Sequence, residues 1–379
     1  MSSAHTQQPI KALFVLDQVN RGGIEMQALD ALRAARGSGL EITVVTTGGQ
    51  LLSEFRSAGD VVVLNRRWPI DPGYASQIRR TVEERNCNIV QGHQAVDALH
   101  ILLTTRRMPH VKRVLTIEGF IPDRKNRKAL KLLIPRMDAV VFPSHALQSW
   151  VAQHDGLFPK GNAVVIANGT DPARLDVDRS DVRAELGISS DAFVIGMVGN
   201  FYRDPRKDHL TLIKSLPTIL REHRDTHCLI VGGVEPGAEH KLNACKVFVQ
   251  ENGMDERVHF LGSRDDIPAI LASLDLFVFS SLHEGGSPPI AVIEAMLKRV
   301  PVIISDIAPH IEYSSKADVS VLFKTGDETD LAVKVNSMLS DRDRMSRSAE
   351  RAYTYANENF TAVARLERFR KLYERLLAE

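Results

Sequence analysis

Residues 277–296 read FVFSSLHEGGSPPIAVIEAM. The opening run is short and continuously apolar, the pattern of a strand buried on both faces of a parallel sheet rather than of one alternating between core and water. A turn rich in Gly, Ser and Pro follows, and a helix is predicted from about Pro288. PVIISD (301–306) is then the next strand. A strand, a helix and a second strand in that order imply a right-handed crossover and a parallel sheet covered on both faces.

The same unit recurs in both directions. Before it come KALFVLD (11–17), EITVVTT (41–47), VVVLN (61–65), NIVQGH (88–93), RVLTIE (113–118), AVVFPS (139–144) and AVVIAN (163–168). FVIGMVGN (193–200), HCLIVGG (227–233) and VHFLGS (258–263) form a second series with LFVFSS (276–281), PVIISD and VSVLFK (319–324). Between them lie helical patterns, such as Leu210, Ile213, Leu216 and Leu220, or Leu366, Phe369, Tyr373, Leu376 and Leu377. The series breaks once, around 169–190. The expected fold is α/β: two Rossmann-like domains with parallel, doubly wound sheets and an interdomain cleft. The expected boundaries are 1–170, 171–355 and a closing helix, 356–379, that crosses back to the first domain.

Composition agrees with a globular chain of 379 residues, 44% hydrophobic and 25% charged. Disordered, collagenous, coiled-coil and disulfide-scaffold classes are excluded. Cys87, Cys228 and Cys245 show no CxxC spacing and read as buried thiols. No apolar run approaches the ~18 residues that span a bilayer, and MSSAHTQQPI lacks an apolar signal core. A cytoplasmic protein is expected, with no nucleic-acid partner. The net charge of +1 conceals a split: 21 Lys and Arg against 14 Asp and Glu in 1–170, but 27 against 33 in 171–379.

In doubly wound sheets ligands bind beyond the carboxyl ends of the strands. The loop after the first strand holds Gly22 and Gly23 ahead of a helix, where free N–H groups suit a phosphate; Glu25 there complements the helix dipole. The dinucleotide and P-loop glycine fingerprints are absent. GNFYRDPRKD (199–208) gathers Arg203, Arg206 and Lys207 at a strand end, fit to neutralise a diphosphate. Glu284 lies in the HEGG turn and Glu294 on the helix after it, where a carboxylate can accept from both hydroxyls of a ribose. His93 and Glu118 end neighbouring strands and are candidates for acid–base or hydroxyl-binding work. The DxD triplets Asp176/Asp178 and Asp341/Asp343 do not follow strands and read as incidental. No zinc spacing and no covalent-nucleophile motif occurs.

Taken in order, GGIE (22–25), ANGTD (167–171), VGN…RKD (198–208), HEGG…IEAM (283–296), PVIISD and LYERLL (372–377) resemble the family 4 retaining glycosyltransferases of GT-B architecture, over nearly the whole chain. The resemblance implies transfer of a sugar from a UDP- or GDP-sugar to a glycan or lipid-linked acceptor in polysaccharide or glycoconjugate biosynthesis. It implies retention, no metal and no cofactor beyond the nucleotide-sugar co-substrate. The family's E-x7-E pair would be Glu284 and Glu294, the phosphate lysine Lys207 and the Gly-Gly turn Gly22 and Gly23. Gly285, Gly286, Ser287 and Ile290 would complete the donor site with Asn200, Arg203 and Arg206. Catalytic roles would fall to Glu284, Lys207, Glu118 and His93.

Three positions depart from the family. The glutamates are ten apart instead of eight, Asn200 stands where Arg is usual, and Thr116-Ile117-Glu118-Gly119 replaces a T-x-H-G setting. Alternatives are a nucleotide-sugar epimerase of the same fold and a catalytically silent nucleotide-sugar-binding subunit. DRKNRKALKLLIPR (123–136), with six Lys or Arg and one Asp, suggests peripheral attachment to an anionic membrane face.

Overall fold

The computed structural model describes residues 9–121, 123–157, 161–176 and 181–379; residues 1–8, and Asp178 of the first DxD triplet, lie outside them. Among the described residues, thirteen strands form two sheets, and each predicted apolar run supplies one. The first sheet comprises β1 (Ile10–Val15), β2 (Leu40–Thr46), β3 (Asp60–Val63), β4 (Ile89–Gly92), β5 (Lys112–Thr116), β6 (Ala139–Phe142) and β7 (Ala163–Val165). The second comprises β8 (Phe193–Val198), β9 (Thr226–Val231), β10 (Val258–Gly262), β11 (Leu276–Phe279), β12 (Val302–Ser305) and β13 (Val321–Phe323). All pairings are parallel, in the orders β3-β2-β1-β4-β5-β6-β7 and β10-β9-β8-β11-β12-β13. The chain is thus α/β with two doubly wound sheets. In each sheet the strand order reverses once, at β1/β4 and at β8/β11, and these switch points open the crevices where such folds bind ligands.

The chain divides into two compact units, Met1–Asp171 with Thr361–Glu379, and Pro172–Phe360. Helix 356–379, expected as one piece, is two. Arg342–Asn359 runs through 356–359, and Ala362–Ala378 starts afresh. Phe360 makes edge-on ring contacts with Tyr313 and Tyr355, and the Thr361 hydroxyl caps the next helix by accepting from Ala364 N at 3.1 Å. Leu366, Phe369, Leu372, Tyr373 and Leu376 then bury one face among Leu29, Leu32 and Phe14 in the first unit. The helix predicted from Pro288 begins at Ile290, with Pro289 as its N-cap. Asp341 of the second DxD triplet is itself an N-cap, accepting from Arg344 N at 2.8 Å. All three cysteines are buried and free. Among the described residues no helix is long and apolar enough to cross a membrane.

Candidate functional site

In the second unit, β8 and β11 are neighbours, so the loops that follow them meet at the switch point. They are stitched by backbone hydrogen bonds, Asp208 N to Ser280 O and Leu282 N to Arg206 O, both 3.0 Å. Lys207 pairs with Ser281 across this short ladder. Its ammonium is thereby delivered onto Glu284 Oε1, which also accepts from Ser281 Oγ at 2.9 Å, and stands 4.0 Å from the centre of the Phe279 ring. Both partners are almost wholly buried. Burial pushes the Lys207 ammonium below its usual pKa, and the Glu284 carboxylate pushes it back up. Asp208 caps helix His209–Glu222 immediately after, so the position of Lys207 is fixed by a helix start as well as by the ladder.

Glu294, on helix Ile290–Leu297, is also buried, and its Oε1 accepts from Arg174 Nη2 at 2.8 Å. Gly285 and Gly286 lie half-buried in the loop between, Ser287 Oγ donates to Pro309 O at 2.9 Å, and Ile290 opens the helix. The other predicted donor residues are engaged elsewhere. Arg203 binds Glu235, Arg206 binds Asp204 and lies over Tyr202, and Asn200 Oδ1 accepts from Gly233 N at 2.8 Å, tying the β8 loop to the β9 loop. Of the three cations in the 199–208 segment, Lys207 is the one brought to the glutamate.

In the first unit the switch point lies between β1 and β4. Gly22 has an extended backbone that any residue could adopt, and the end of the flexible Glu25 side chain lies where a Cβ would stand. Gly23 opens helix Gly23–Ala34 with open space beside it. Burial raises the Glu25 pKa. Beyond β4, His93 Nδ1 donates to Glu118 Oε1 at 3.2 Å, while its buried Nε2 has no hydrogen-bond partner among the described residues. The His93 backbone N donates to Asp97 Oδ2, whose carboxyl burial pushes up to about 6. Glu118, beyond β5, also faces Arg365 of the last helix, 3.5 Å away. Burial would raise the Glu118 pKa, but the His93 hydrogen bond and the Arg365 charge outweigh it and hold the carboxyl below its usual range. Beneath them Tyr373 Oη donates to Gln91 Oε1.

Sequence reasoning brought together His93 with Glu118, and Lys207 with Glu284. It missed Arg174, Ser281, Arg365 and Asp97. Ser281 was findable, since it lies in the same strand end as Glu284; Arg174 and Arg365 act on residues remote in the chain. Each unit thus sets buried charges and hydroxyls at a sheet's carboxyl edge, able to bind anionic and polyhydroxylated groups. Among the described residues no group of three or more His, Cys, Asp or Glu side chains is placed to hold a metal ion.

Residues 21–174 match the family described as Glycosyltransferase Family 4, and residues 192–341 match Glycosyl transferases group 1. N-acetyl-alpha-D-glucosaminyl L-malate synthase of Bacillus anthracis is 24% identical over 321 residues, 82% of this chain and 81% of that protein. The lipopolysaccharide core biosynthesis mannosyltransferase LpsB of Rhizobium meliloti (strain 1021) is 23% identical over 303 residues, 78% of this chain and 81% of its own. Among solved structures, Anabaena Alr3699/HepE in complex with UDP and glucose shares the fold with a TM-score of 0.81 at 20% identity, covering 96% of this chain and 99% of that one.

Proposed function

The chain belongs to the family 4 glycosyltransferases, enzymes of glycan and glycoconjugate biosynthesis, and from that premise we propose that its donor is a nucleoside-diphosphate sugar. The sugar passes from a UDP- or GDP-sugar to a glycan or lipid-linked acceptor, with retention at the anomeric carbon and without a metal ion. The second unit holds the donor and the first unit the acceptor. The observation that carries this reading is the buried Lys207–Glu284 contact at the β8/β11 switch point. There the ammonium meets the leaving diphosphate, Glu284 the transferred sugar and Glu294 the ribose. The anomeric C–O bond to the β-phosphate breaks as the acceptor oxygen bonds to the same face of that carbon. The departing phosphate oxygen takes the acceptor proton, and Lys207 offsets the charge that builds there. On the acceptor side Glu118 orients His93, leaving the Nε2 lone pair to receive a hydroxyl's hydrogen bond.

A thermal-shift panel of UDP-, GDP- and ADP-sugars tests the donor class, since a ligand at 100 times its Kd stabilises by ~2.7 kcal/mol. UDP-glucose comes first, because the Anabaena structure of the same fold binds UDP and glucose. No shift with any member would overturn the donor reading. An epimerase would convert the nucleotide sugar without acceptor and a silent subunit would release no nucleoside diphosphate; neither is favoured, because both family matches are glycosyltransferase families and LpsB is a mannosyltransferase by name.

Glu294→Gln keeps the shape of the side chain but loses a charge-assisted acceptor worth ~1.5–3 kcal/mol. Affinity for the nucleoside diphosphate should fall roughly 10- to 100-fold with the fold intact. Calorimetric titration giving wild-type affinity would remove Glu294 from the donor site.

The basic segment 123–136 forms helix Arg124–Leu133, in which Leu130 and Leu133 are buried in the core beside Ile134, while Leu132 is 65% exposed. Arg127 pairs with the buried Asp155; Arg124 is exposed, and so are the three lysines Lys125, Lys128 and Lys131. Peripheral attachment to an anionic membrane face is proposed through them. Replacing the three by Ser should remove ~1 kcal/mol each of attraction, about 100-fold in partitioning together. In co-sedimentation, wild type should pellet with anionic vesicles, be released by salt and ignore neutral ones. Equal recovery with both vesicle types, or with neither, would leave this helix as part of the core only.

A further inference from the structure

Arg174 lies in the short turn Pro172–Leu175, where the chain enters the second unit. It donates from Nη2 to Glu294 Oε1 at 2.8 Å, and Lys298 Nζ donates to the carbonyl of Leu175 at 3.1 Å. Positions 294 and 298 are four apart and share one side of the helix. The turn is therefore clamped to that side at two points, and the clamp that reaches a carboxylate comes from a rigid, permanently charged guanidinium.

We infer that Arg174 is a positioning residue for the donor ribose: it fixes the plane and the charge of the Glu294 carboxylate so that vicinal hydroxyls can donate to it. This rests on the assignment of Glu294 to the ribose. The chemistry requires such a partner. The ionised form is the one the hydroxyls need, because a neutral acid would offer one acceptor oxygen fewer and a competing donor. An unrestrained carboxylate would also rotate away from the two-point geometry. A carboxylate can serve several donors at once, since each of its oxygens accepts two hydrogen bonds. The other arginines of the unit proposed for the donor, Arg203 and Arg206, are bound to Glu235 and Asp204 and do not reach Glu294 in this arrangement.

The test compares Kd for UDP with 2′-deoxy-UDP, and GDP with 2′-deoxy-GDP, in wild type, Arg174→Gln, Arg174→Lys and Glu294→Gln. Wild type should prefer the ribonucleotide by about tenfold or more. Arg174→Gln should weaken the ribonucleotide by roughly the same factor while leaving the deoxynucleotide nearly unchanged, so that the preference collapses toward one. Arg174→Lys, which keeps charge without the planar fork, should fall between, and adding Arg174→Gln to Glu294→Gln should change the ratio no further. If Arg174→Gln, or Arg174→Lys should the former not fold, weakens both nucleotides equally with the preference intact, Arg174 is a general cation or a structural group and the inference is overturned. If wild type shows no preference, the ribose assignment of Glu294 itself fails.

Discussion

Lys207→Ala is expected to lower turnover about 100- to 1,000-fold while donor affinity falls less than about tenfold. The asymmetry follows from where charge appears. On the proposed reading, a further charge localises on the β-phosphate oxygen as the diphosphate departs, beside an ammonium that is 10% exposed and backed by the Phe279 ring. A fixed charge in such surroundings is worth more than one in water and does not have to reorganise during the reaction. The same substitution strands Glu284, also 9% exposed, without its cation, and removing one member of a buried pair costs about 3–5 kcal/mol of stability. A loss of activity through unfolding must therefore be separated from a loss of catalysis. Lys207→Ala with Glu284→Gln removes both charges and should regain stability in urea titration, yet stay slow. Proportional loss of binding and rate in the single variant, or recovery of turnover in the double, would take Lys207 out of the leaving-group role.

The legible part of this protein is the part written in short-range pattern. Thirteen continuous apolar runs became thirteen strands because a strand covered on both faces admits no polar alternation, and this holds wherever the strand lies in its sheet. The candidate sites were legible for a related reason. His93, Glu118, Lys207 and Glu284 each sit in a loop that follows a strand's carboxyl end, and in a doubly wound sheet that edge is where loops converge. Pairings across the chain left no such mark. Arg365 lies within ARLERFRKLYERLL, whose apolar stripe is plain but whose arginines carry no mark of which one is buried; the structure buries this one to 4% exposure against Glu118 and leaves Arg368 and Arg370 nearer the surface. Arg174 and Glu294 are separated by 120 positions. Among Arg203, Arg206 and Lys207 charge alone could not choose, although Asp204, two residues before Arg206, was a local hint that this arginine would be satisfied within its own turn.

Glu118→Gln should show whether the first unit's charge cluster supports transfer or only the fold. Glu118 accepts from His93 and faces Arg365, with side chains 3% and 5% exposed, so the amide leaves a buried guanidinium without its anion. A destabilisation of about 3–5 kcal/mol near pH 7 is expected. Its pH dependence has a definite sign. The folded carboxyl titrates below the ordinary value of 4.5, so the unfolded chain binds the proton first as pH falls. The stabilisation is complete above 4.5 and is lost as pH drops through the lower folded value, where wild type and variant should converge. Urea unfolding at about pH 7 and about pH 3 measures this directly, and a constant gap would mean that folding does not lower the Glu118 pKa. Catalysis separates from stability in Glu118→Gln with Arg365→Met, where both charges are gone and packing remains. If Glu118 serves only the fold, that double variant should transfer sugar at the wild-type rate once it is stable. If it orients His93 for the acceptor, transfer stays impaired while donor affinity, proposed to lie in the other unit, is unchanged; the imidazole has then lost the carboxylate that accepts from its Nδ1.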